Sequence, residues 1–302
     1  MHAVSRAVAG VASAASVMIR ARRSVSAVRA ALGAALGASL WPAAAAAEPR
    51  PLPMSQPFET LVEDKLELEQ RVDAVPVRLA PQATPQPTDG VPDRFSLRAE
   101  LSTELRLGWS DRLELAASIG IRQDASPGTP SLRLAGFGQR ARLRLADAGD
   151  WPVDVAVQLA VGQLHDGVSA AERVIVSWRS GPLLAVANLE VEQRYGAPSG
   201  EWRHAYLPTA GVGYELTPRV SIGAEYWARG RFDRPRPGAV LDDPDDPGGS
   251  VFHYAGPAAF VTRGRLWVAA AAHVRLDRIA LAAPVGDRFG KLWVRALIGL
   301  TL

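Results

Sequence analysis

Residues Phe95–Trp109 read FSLRAELSTELRLGW, and their pattern indicates the fold class. Its odd positions are apolar or nearly so, whereas its even positions are polar, charged or, at Gly108, small. Such alternation is typical of a β-strand whose two faces meet different surroundings. Because the run is about twice as long as an ordinary globular strand, it predicts an unusually long strand with one apolar face and one charged face.

The same alternation returns along the chain and closes it at Leu292–Leu302. In the fourth candidate strand the apolar set changes phase between Leu134 and Ala141, which predicts a β-bulge at 136–139. We count twelve candidate strands, at 65–79, 94–109, 112–122, 132–146, 153–163, 172–180, 183–193, 205–216, 219–231, 251–262, 265–276 and 291–302.

The connections between these strands alternate in length. Joins after the even-numbered strands are short, such as Ser110–Asp111 and Gly181–Pro182, whereas most of the others are longer, up to 233–250. Outer-membrane barrels are built this way, with short periplasmic turns, long outer loops and an even number of antiparallel strands. The sequence therefore predicts an all-β fold, a transmembrane antiparallel up-and-down β-barrel of about twelve strands in the outer membrane of a Gram-negative bacterium.

The cost of burying arginine in lipid predicts which strand face points inward. An arginine facing lipid at mid-membrane costs about 2–4 kcal/mol, so the many arginines of the polar faces must line the lumen. The sheet must also close on itself, because the unpaired backbone groups of an open edge are not tolerated in hydrocarbon. Our candidate lumen-lining and solute-contact residues are Arg98, Glu100, Glu104, Arg106, Arg112, Glu114, Arg142, Arg144, Glu225, Trp227, Arg229, Arg265, Trp267, His273, Arg275, Trp293 and Arg295.

These inward residues have two interpretations. Arginine and glutamate on adjacent strands can pair and brace the wall, and the tryptophans can simply fill space. Alternatively, a surplus of arginine favours anionic solutes, and tryptophan beside arginine offers cation–π and apolar surface to an aromatic solute. We place an aromatic girdle near the strand ends, at Trp109, Trp151, Tyr206, Tyr214, Phe252 and Tyr254.

The first 47 residues read as an export signal. They hold five arginines and no acid, run through an Ala/Gly/Leu segment and end in a stretch of alanines at Ala43–Ala47. This order predicts a cleaved signal peptide at 1–47, with Met18 as an alternative start and an uncleaved anchor as the other interpretation. We expect a periplasmic N-terminal segment at 48–64 and the barrel at 65–302.

Composition and spacing exclude several kinds of site. The chain has no cysteine, which excludes disulfides and thiolate chemistry. Removing the leader leaves 29 basic and 31 acidic residues, so the overall basicity gives no argument for nucleic-acid binding. No histidine is followed by serine two residues later, so we expect no outer-membrane hydrolase and no enzyme. We expect neither a metal site nor a cofactor; the acidic stretch 242–246 is interpreted as a solvated loop, with a calcium bridge to lipopolysaccharide as the alternative.

Three segments resemble a known family of barrels. The stretch 212–232 reads VGYELTPRVSIGAEYWARGRF, 253–276 reads HYAGPAAFVTRGRLWVAAAAHVRL, and the chain closes with KLWVRALIGLTL. Together they resemble the C-terminal half of outer-membrane barrels of the phenol-degradation MetA-pathway transporter type, and FETLVEDKLELE at 58–69 is similar to the start of their first strand. The resemblance implies a barrel of roughly twelve strands that passes hydrophobic or aromatic small molecules. Such barrels usually end on an aromatic residue, whereas this chain ends on Leu302.

We therefore expect passive passage of small molecules, aromatic or anionic, through the lumen. The expected partners are outer-membrane lipid and lipopolysaccharide, the barrel assembly machinery and a small-molecule solute, with no nucleic acid. Two alternatives stay open: a closed structural or adhesion barrel whose outer loops bind a partner, and a soluble periplasmic β-protein.

Overall fold

The computed structural model describes residues 50–79, 94–123, 132–165, 167–196, 200–232, 251–276 and 290–302. The predicted signal peptide and the acidic loop 242–246 lie outside these residues. The expected twelve strands are confirmed. They are β1 (Leu66–Leu79), β2 (Arg94–Ser110), β3 (Leu113–Gln123), β4 (Leu132–Arg144), β5 (Asp154–Leu164), β6 (Gly167–Ser180), β7 (Leu183–Gly196), β8 (Glu201–Thr217), β9 (Val220–Arg231), β10 (Phe252–Arg263), β11 (Leu266–Arg275) and β12 (Leu292–Thr301).

Each strand pairs antiparallel with its neighbours in sequence, and β1 pairs with β12 to close the barrel. The closing register runs from Glu67 opposite Thr301 to Ala74 opposite Val294. Closure leaves no sheet edge, which meets the demand for internal backbone pairing in a bilayer. Among the described residues, no helix is long and apolar enough to span a membrane.

The apolar face of each strand points outward, as expected. Leu101, Leu159 and Ile298 are 42%, 60% and 47% exposed, although leucine and isoleucine are among the most frequently buried residues. The inward neighbours of such positions are charged or aromatic and mostly buried, as Arg106 and Trp267 illustrate. This arrangement, apolar outside and polar inside, is that of a transmembrane barrel.

The structure adds three details to the predicted strands: the start of β6, the course of β1 through Pro76 and the position of the bulge in β4. β6 begins at Gly167 rather than at 172, because its first residues, GVSAA, are mostly small and give little alternating signal. Strand β1 continues through Pro76, which is tolerated because pairing with β12 ends at Ala74. The bulge of β4 lies between Leu134 and Gly136, slightly before the expected position.

The segment before β1 lies inside the barrel, which differs from the periplasmic position that we expected for 48–64. We call residues Arg50–Leu61 the plug. Its main chain contacts inward-facing side chains of β3, β4, β6 and β9. It leaves beside the turn between β2 and β3, where a side chain at Gly108 would collide with the Val62 carbonyl oxygen. Because β1 starts and β12 ends at this same end, the plug fills the periplasmic half of the lumen.

Aromatic side chains on the outer face cluster towards the strand ends. Tyr206 packs on Phe232 with ring centroids 5.0 Å apart, and Tyr195 packs on Trp202 at 5.3 Å. Trp109, Trp151 and Tyr214 lie at the other end, the last two largely exposed. Two members of the expected girdle do not belong to it, because Phe252 and Tyr254 face inward and are buried.

Candidate functional site

We call the half of the lumen beside the short turns the lower lumen, and the half beside the longer connections the upper lumen. The lower lumen contains a buried ion-pair network built on β1, β2, β3 and β4. Arg106 donates to Glu67 and, at 2.5 Å, to Glu114 Oε2, and all three side chains are buried. Arg140 bridges Glu114, at 3.0 Å, to Glu104. The indole of Trp267 donates to Glu67 Oε2 at 3.1 Å and packs against Phe260. Reciprocal pairing of this kind is what makes buried charge tolerable.

The plug is fastened to this network at both of its ends. Arg50 Nη1 lies 3.2 Å from Glu69 Oε2, and Arg50 Nη2 lies 3.8 Å from Glu114 Oε2. At the other end the Leu61 N–H donates to Glu114 Oε2 at 3.0 Å. The plug therefore supplies both a cation and a main-chain donor to the carboxylates of the wall.

Arg142 on β4 holds the middle of the plug. Its guanidinium donates to the carbonyl oxygens of Glu59 at 3.1 Å and Pro57 at 3.4 Å, and to the side chain of Gln56. It also donates to Gln158 on β5. Arg142 is completely buried, so these carbonyl contacts take the place of a fully neutralising partner.

Glu225 on β9 holds the far side of the plug. Its Oε1 accepts the main-chain N–H groups of Met54 at 2.8 Å and of Ser55 at 2.7 Å. Its Oε2 lies 3.4 Å from His273 Nε2, but the two atoms are not aligned for a hydrogen bond. Across the lumen, the Phe58 N–H donates to Ser177 on β6 at 3.2 Å.

Next to Glu225, Met54 packs in a cluster of aromatic side chains. Trp227 and Tyr254 stack with centroids 4.2 Å apart and an interplanar angle of 6°. Trp293 meets the Trp227 ring edge-on at 5.0 Å. Phe252 and the half-buried Leu207 complete this cluster, which we call the aromatic box.

The upper lumen carries ion pairs that are partly open to solvent. Asp73 accepts from Arg295 at 2.6 and 2.8 Å and from the Trp293 indole at 3.0 Å. Glu100 accepts from Arg71 on one side and Arg122 on the other. Further along the wall Arg173 pairs with Glu190, and Arg229 donates to Glu192. The side chains of Glu100, Glu192 and Arg229 are 20–26% exposed, whereas those of Arg106, Glu67 and Glu114 in the lower network are at most 1% exposed.

Most of the predicted lumen residues face inward, but they fall into separate groups. Arg98, Glu100, Arg229, Arg275, Trp293 and Arg295 belong to the upper lumen; Glu225, Trp227 and His273 border the plug; Glu104, Arg106, Glu114, Arg142 and Trp267 belong to the lower network. Trp267 is thus separated from the other two tryptophans. Arg144 lies at the periplasmic rim, where it donates to the Asp111 carbonyl oxygen.

Two predicted lumen residues are corrected by the structure. Arg112 and Arg265 lie in the short turns before β3 and β11, where both are exposed. Their parity matched the inward face, but the strands end before reaching them. Arg112 donates to Asp147 in the next turn at 2.5 Å, and this hydrogen bond lowers the pKa of the Asp147 carboxyl.

Several lumen residues escaped the sequence analysis. Arg140 was missed because it directly follows the bulge expected at 136–139; its shared parity with the predicted Arg142 was the available clue. Glu67, Glu69 and Asp73 were missed because β1, interrupted by proline, gave the weakest strand signal; their alternation with Leu68 and Val72 was the available clue. These acids accept from inward arginines, so the surplus of positive charge is smaller than the sequence suggested.

The chain resembles solved barrels in fold. No protein-family model and no curated protein matches the sequence. Its structure resembles the COG4313 outer membrane channel from Pseudomonas putida F1, with a TM-score of 0.57, 10% identity, and coverage of 81% of this chain and 98% of that chain. The NanC porin gives a TM-score of 0.49 at 10% identity, covering 78% of this chain and 100% of that one. At such identities the likeness to the first structure shows a shared barrel fold.

Proposed function

We propose that the protein is an outer-membrane barrel that passes small molecules passively through its lumen. The observation that carries this proposal is the cross-section: an apolar outer wall encloses a charged lumen whose upper ion pairs are partly exposed to solvent. A wall of this polarity is stable only where the outside is lipid. We place the barrel in the outer membrane of a Gram-negative bacterium, in contact with lipid and lipopolysaccharide and inserted by the barrel assembly machinery.

The lumen dimensions favour small solutes. Twelve strands give a width between that of eight-stranded barrels, which side chains fill, and that of sixteen-stranded porins, which hold a water channel. The plug narrows the lower half further; the cavity between it and the wall at Arg71, Arg295 and Leu297 has a volume of ≈ 30 Å³, about one water molecule. A solute larger than this passes through the cavity only if the plug shifts.

The upper lumen and the aromatic box are the solute-contact surfaces that we propose. Arg98 lies 5.2 Å from the centre of the Trp293 ring, so apolar and cationic surface occur side by side. This combination suits aromatic or polarisable solutes, in line with the resemblance to MetA-pathway transporters. The proposal assigns no catalytic step and no cofactor to these residues.

Swelling of proteoliposomes tests passage directly. Purified barrel is reconstituted in vesicles, which are diluted into isotonic solutions of small solutes of increasing size. We expect swelling with the smallest solutes and a steep loss as size rises. Correctly folded barrel that admits no solute would exclude the conduit.

A closed structural or adhesion barrel is the second candidate, and the plug is the observation that favours it. The plug makes buried contacts with four separate strands, as a permanent stopper would. This alternative predicts no swelling in intact barrel together with binding of a partner to intact cells that display the outer loops.

A further inference from the structure

We propose that the plug residues Met54 and Ser55 occupy a binding site for a small, neutral aromatic molecule that carries N–H or O–H donors. The site consists of Glu225, Trp227, Tyr254 and Trp293, and we call Met54 and Ser55 the tip. The inference deepens the proposed passage function and rests on it for its biological role.

Glu225 differs from the other buried acids of the described lumen. Glu67, Glu69, Asp73 and Glu114 each lie within ion-pair distance of an arginine. Glu225 is equally buried, yet its hydrogen bonds come from main-chain N–H groups of a segment that is not part of the wall. A molecule with two N–H donors, or one N–H and one O–H, can replace that pair of bonds.

Buried polar atoms without a partner collect around the same carboxylate. Glu225 Oε2, both ring nitrogens of His273, Ser55 Oγ and Trp227 Nε1 lack hydrogen bonds within the described structure. On the neighbouring strands Thr209 Oγ1 and the Asn188 amide also lack them, and the register places Asn188, Thr209 and Trp227 in one row. Buried polar atoms are nearly always satisfied, so the tip is an incomplete occupant. A ligand with a carbonyl or hydroxyl oxygen could accept from Trp227 or Thr209 as well.

The shape and polarity of the aromatic box define the rest of the ligand. Met54 packs in one buried cluster with Trp227, Phe252 and Tyr254, and because Trp227 and Tyr254 stack on each other, these rings form the aromatic walls beside Met54. Methionine is a flexible filler of such gaps, whereas a planar ring would stack on these walls with better contact. The donor groups next to Glu225 and the ring in the Met54 position describe an aromatic molecule with a donor at one end.

Local charges select a neutral ligand. Glu225 repels an anion, and the two donors that it accepts in the structure are uncharged main-chain N–H groups, so neutral donors satisfy it. Gly211 lies opposite Glu225 in the ladder, and a Cβ there would lie 2.9 Å from Leu52 Cδ1 and 3.2 Å from Ser55 Oγ, so the plug packs directly on this glycine and a ligand gains room only when the tip leaves. The half-buried Trp293 and Leu207 form the side of the box through which a solute arrives from the upper lumen.

Benzamide is the probe for this site, because it joins a phenyl ring to a neutral group with two N–H donors and one acceptor. Its binding to detergent-folded barrel is measured by titration calorimetry. We expect saturable binding of benzamide, with at least tenfold weaker binding of N,N-dimethylbenzamide, which lacks N–H donors, and of benzoate. Equal affinity for benzamide and its dimethyl derivative would overturn the proposal.

Variants locate the binding. Glu225→Gln should weaken benzamide binding at least tenfold, whereas Asp150→Asn, which alters an exposed carboxylate in the turn between β4 and β5, should leave it unchanged; heat-modifiable gel mobility checks that both fold. The cysteine-free chain also permits a lock: Ser55→Cys with Gly211→Cys, cross-linked by oxidation and verified by mass, should lose binding and regain it on reduction. Binding that survives Glu225→Gln, or the verified cross-link, would refute the site.

The binding site and the passive conduit can be refuted independently of each other. Calorimetry on solubilised barrel requires no flux, so binding without vesicle swelling would leave the site intact and remove the conduit. Swelling without selective benzamide binding would leave the conduit intact and remove the site.

Discussion

Arg142 donates a hydrogen bond to the main-chain carbonyl oxygen of Glu59 at 3.1 Å, which joins the barrel wall to the segment that fills it. The two residues are far apart in sequence, and the arginine is completely buried. Hydrogen bonds to a charged group contribute about 1.5–3 kcal/mol each. The plug is therefore a fastened element, and its fastening can be loosened one contact at a time.

Replacing Arg142 with methionine should loosen the plug and speed solute passage. The change removes the donors to Gln56, Pro57 and Glu59 and leaves a chain of similar length. We expect several-fold faster swelling of proteoliposomes with a small neutral solute. Arg173→Met is the matched control, because Arg173 also faces the lumen but pairs with Glu190 on the wall. Identical rates for the two variants would contradict the anchoring role.

Replacing Glu114 with alanine should destabilise the barrel. Glu114 is fully buried and accepts from Arg106, Arg140 and the Leu61 N–H, so its loss leaves buried cations unpaired. Removing one partner of a buried ion pair costs about 3–5 kcal/mol. Urea unfolding in lipid vesicles measures the free energy of unfolding, and a change within the experimental error would refute the structural role of the network.

Arg112 and Asp147 provide a contrasting, exposed pair. Because the Arg112 hydrogen bond lowers the pKa of Asp147, the pair's contribution is present above the ordinary carboxyl pKa and is lost as pH falls through the lowered value. Arg112→Ala should return the Asp147 pKa, measured by NMR titration, towards its ordinary value. The stability of the barrel should hardly change, because exposed pairs contribute little. An unaltered pKa would show that the pair does not form.

The outer face should resist charge in a depth-dependent way. Ile298 faces outward within β12, and an arginine there should cost about 2–4 kcal/mol in a bilayer. Leu216 faces outward beside the short turn after β8, where arginine should cost about 0–1 kcal/mol. Unfolding in vesicles compares Ile298→Arg with Leu216→Arg. Equal costs would mean that these strands do not lie against lipid.

The wall could be predicted from sequence because its two faces meet opposite solvents. Period-two alternation in β2, β3 and β12 reports directly which face meets lipid. That signal fails where both faces are apolar, as in β10, where Phe252, Tyr254 and Phe260 face inward while Val261 faces outward. We therefore assigned Phe252 and Tyr254 to the aromatic girdle only because they lie near a strand end, and that assignment was wrong.

The plug could not be predicted because it has no periodic structure to detect. Pro51, Pro53 and Pro57 prevent regular pairing, and the contacts that hold the segment are between residues distant in sequence. A clue existed in its apolar residues Leu52, Met54 and Phe58, which require burial although no helix or strand holds them. They are buried inside the barrel, a position that becomes apparent only once the wall has closed.

Single-channel conductance in planar bilayers tests most directly whether the plug controls a conducting lumen. The intact protein is compared with a chain in which residues 50–58 are replaced by a glycine–serine linker of equal length, both checked for folding by heat-modifiable mobility. We predict small conductance steps from the intact barrel and steps several-fold larger from the linker variant. Equal conductance, or none from either folded protein, would show that the plug does not control a conducting lumen.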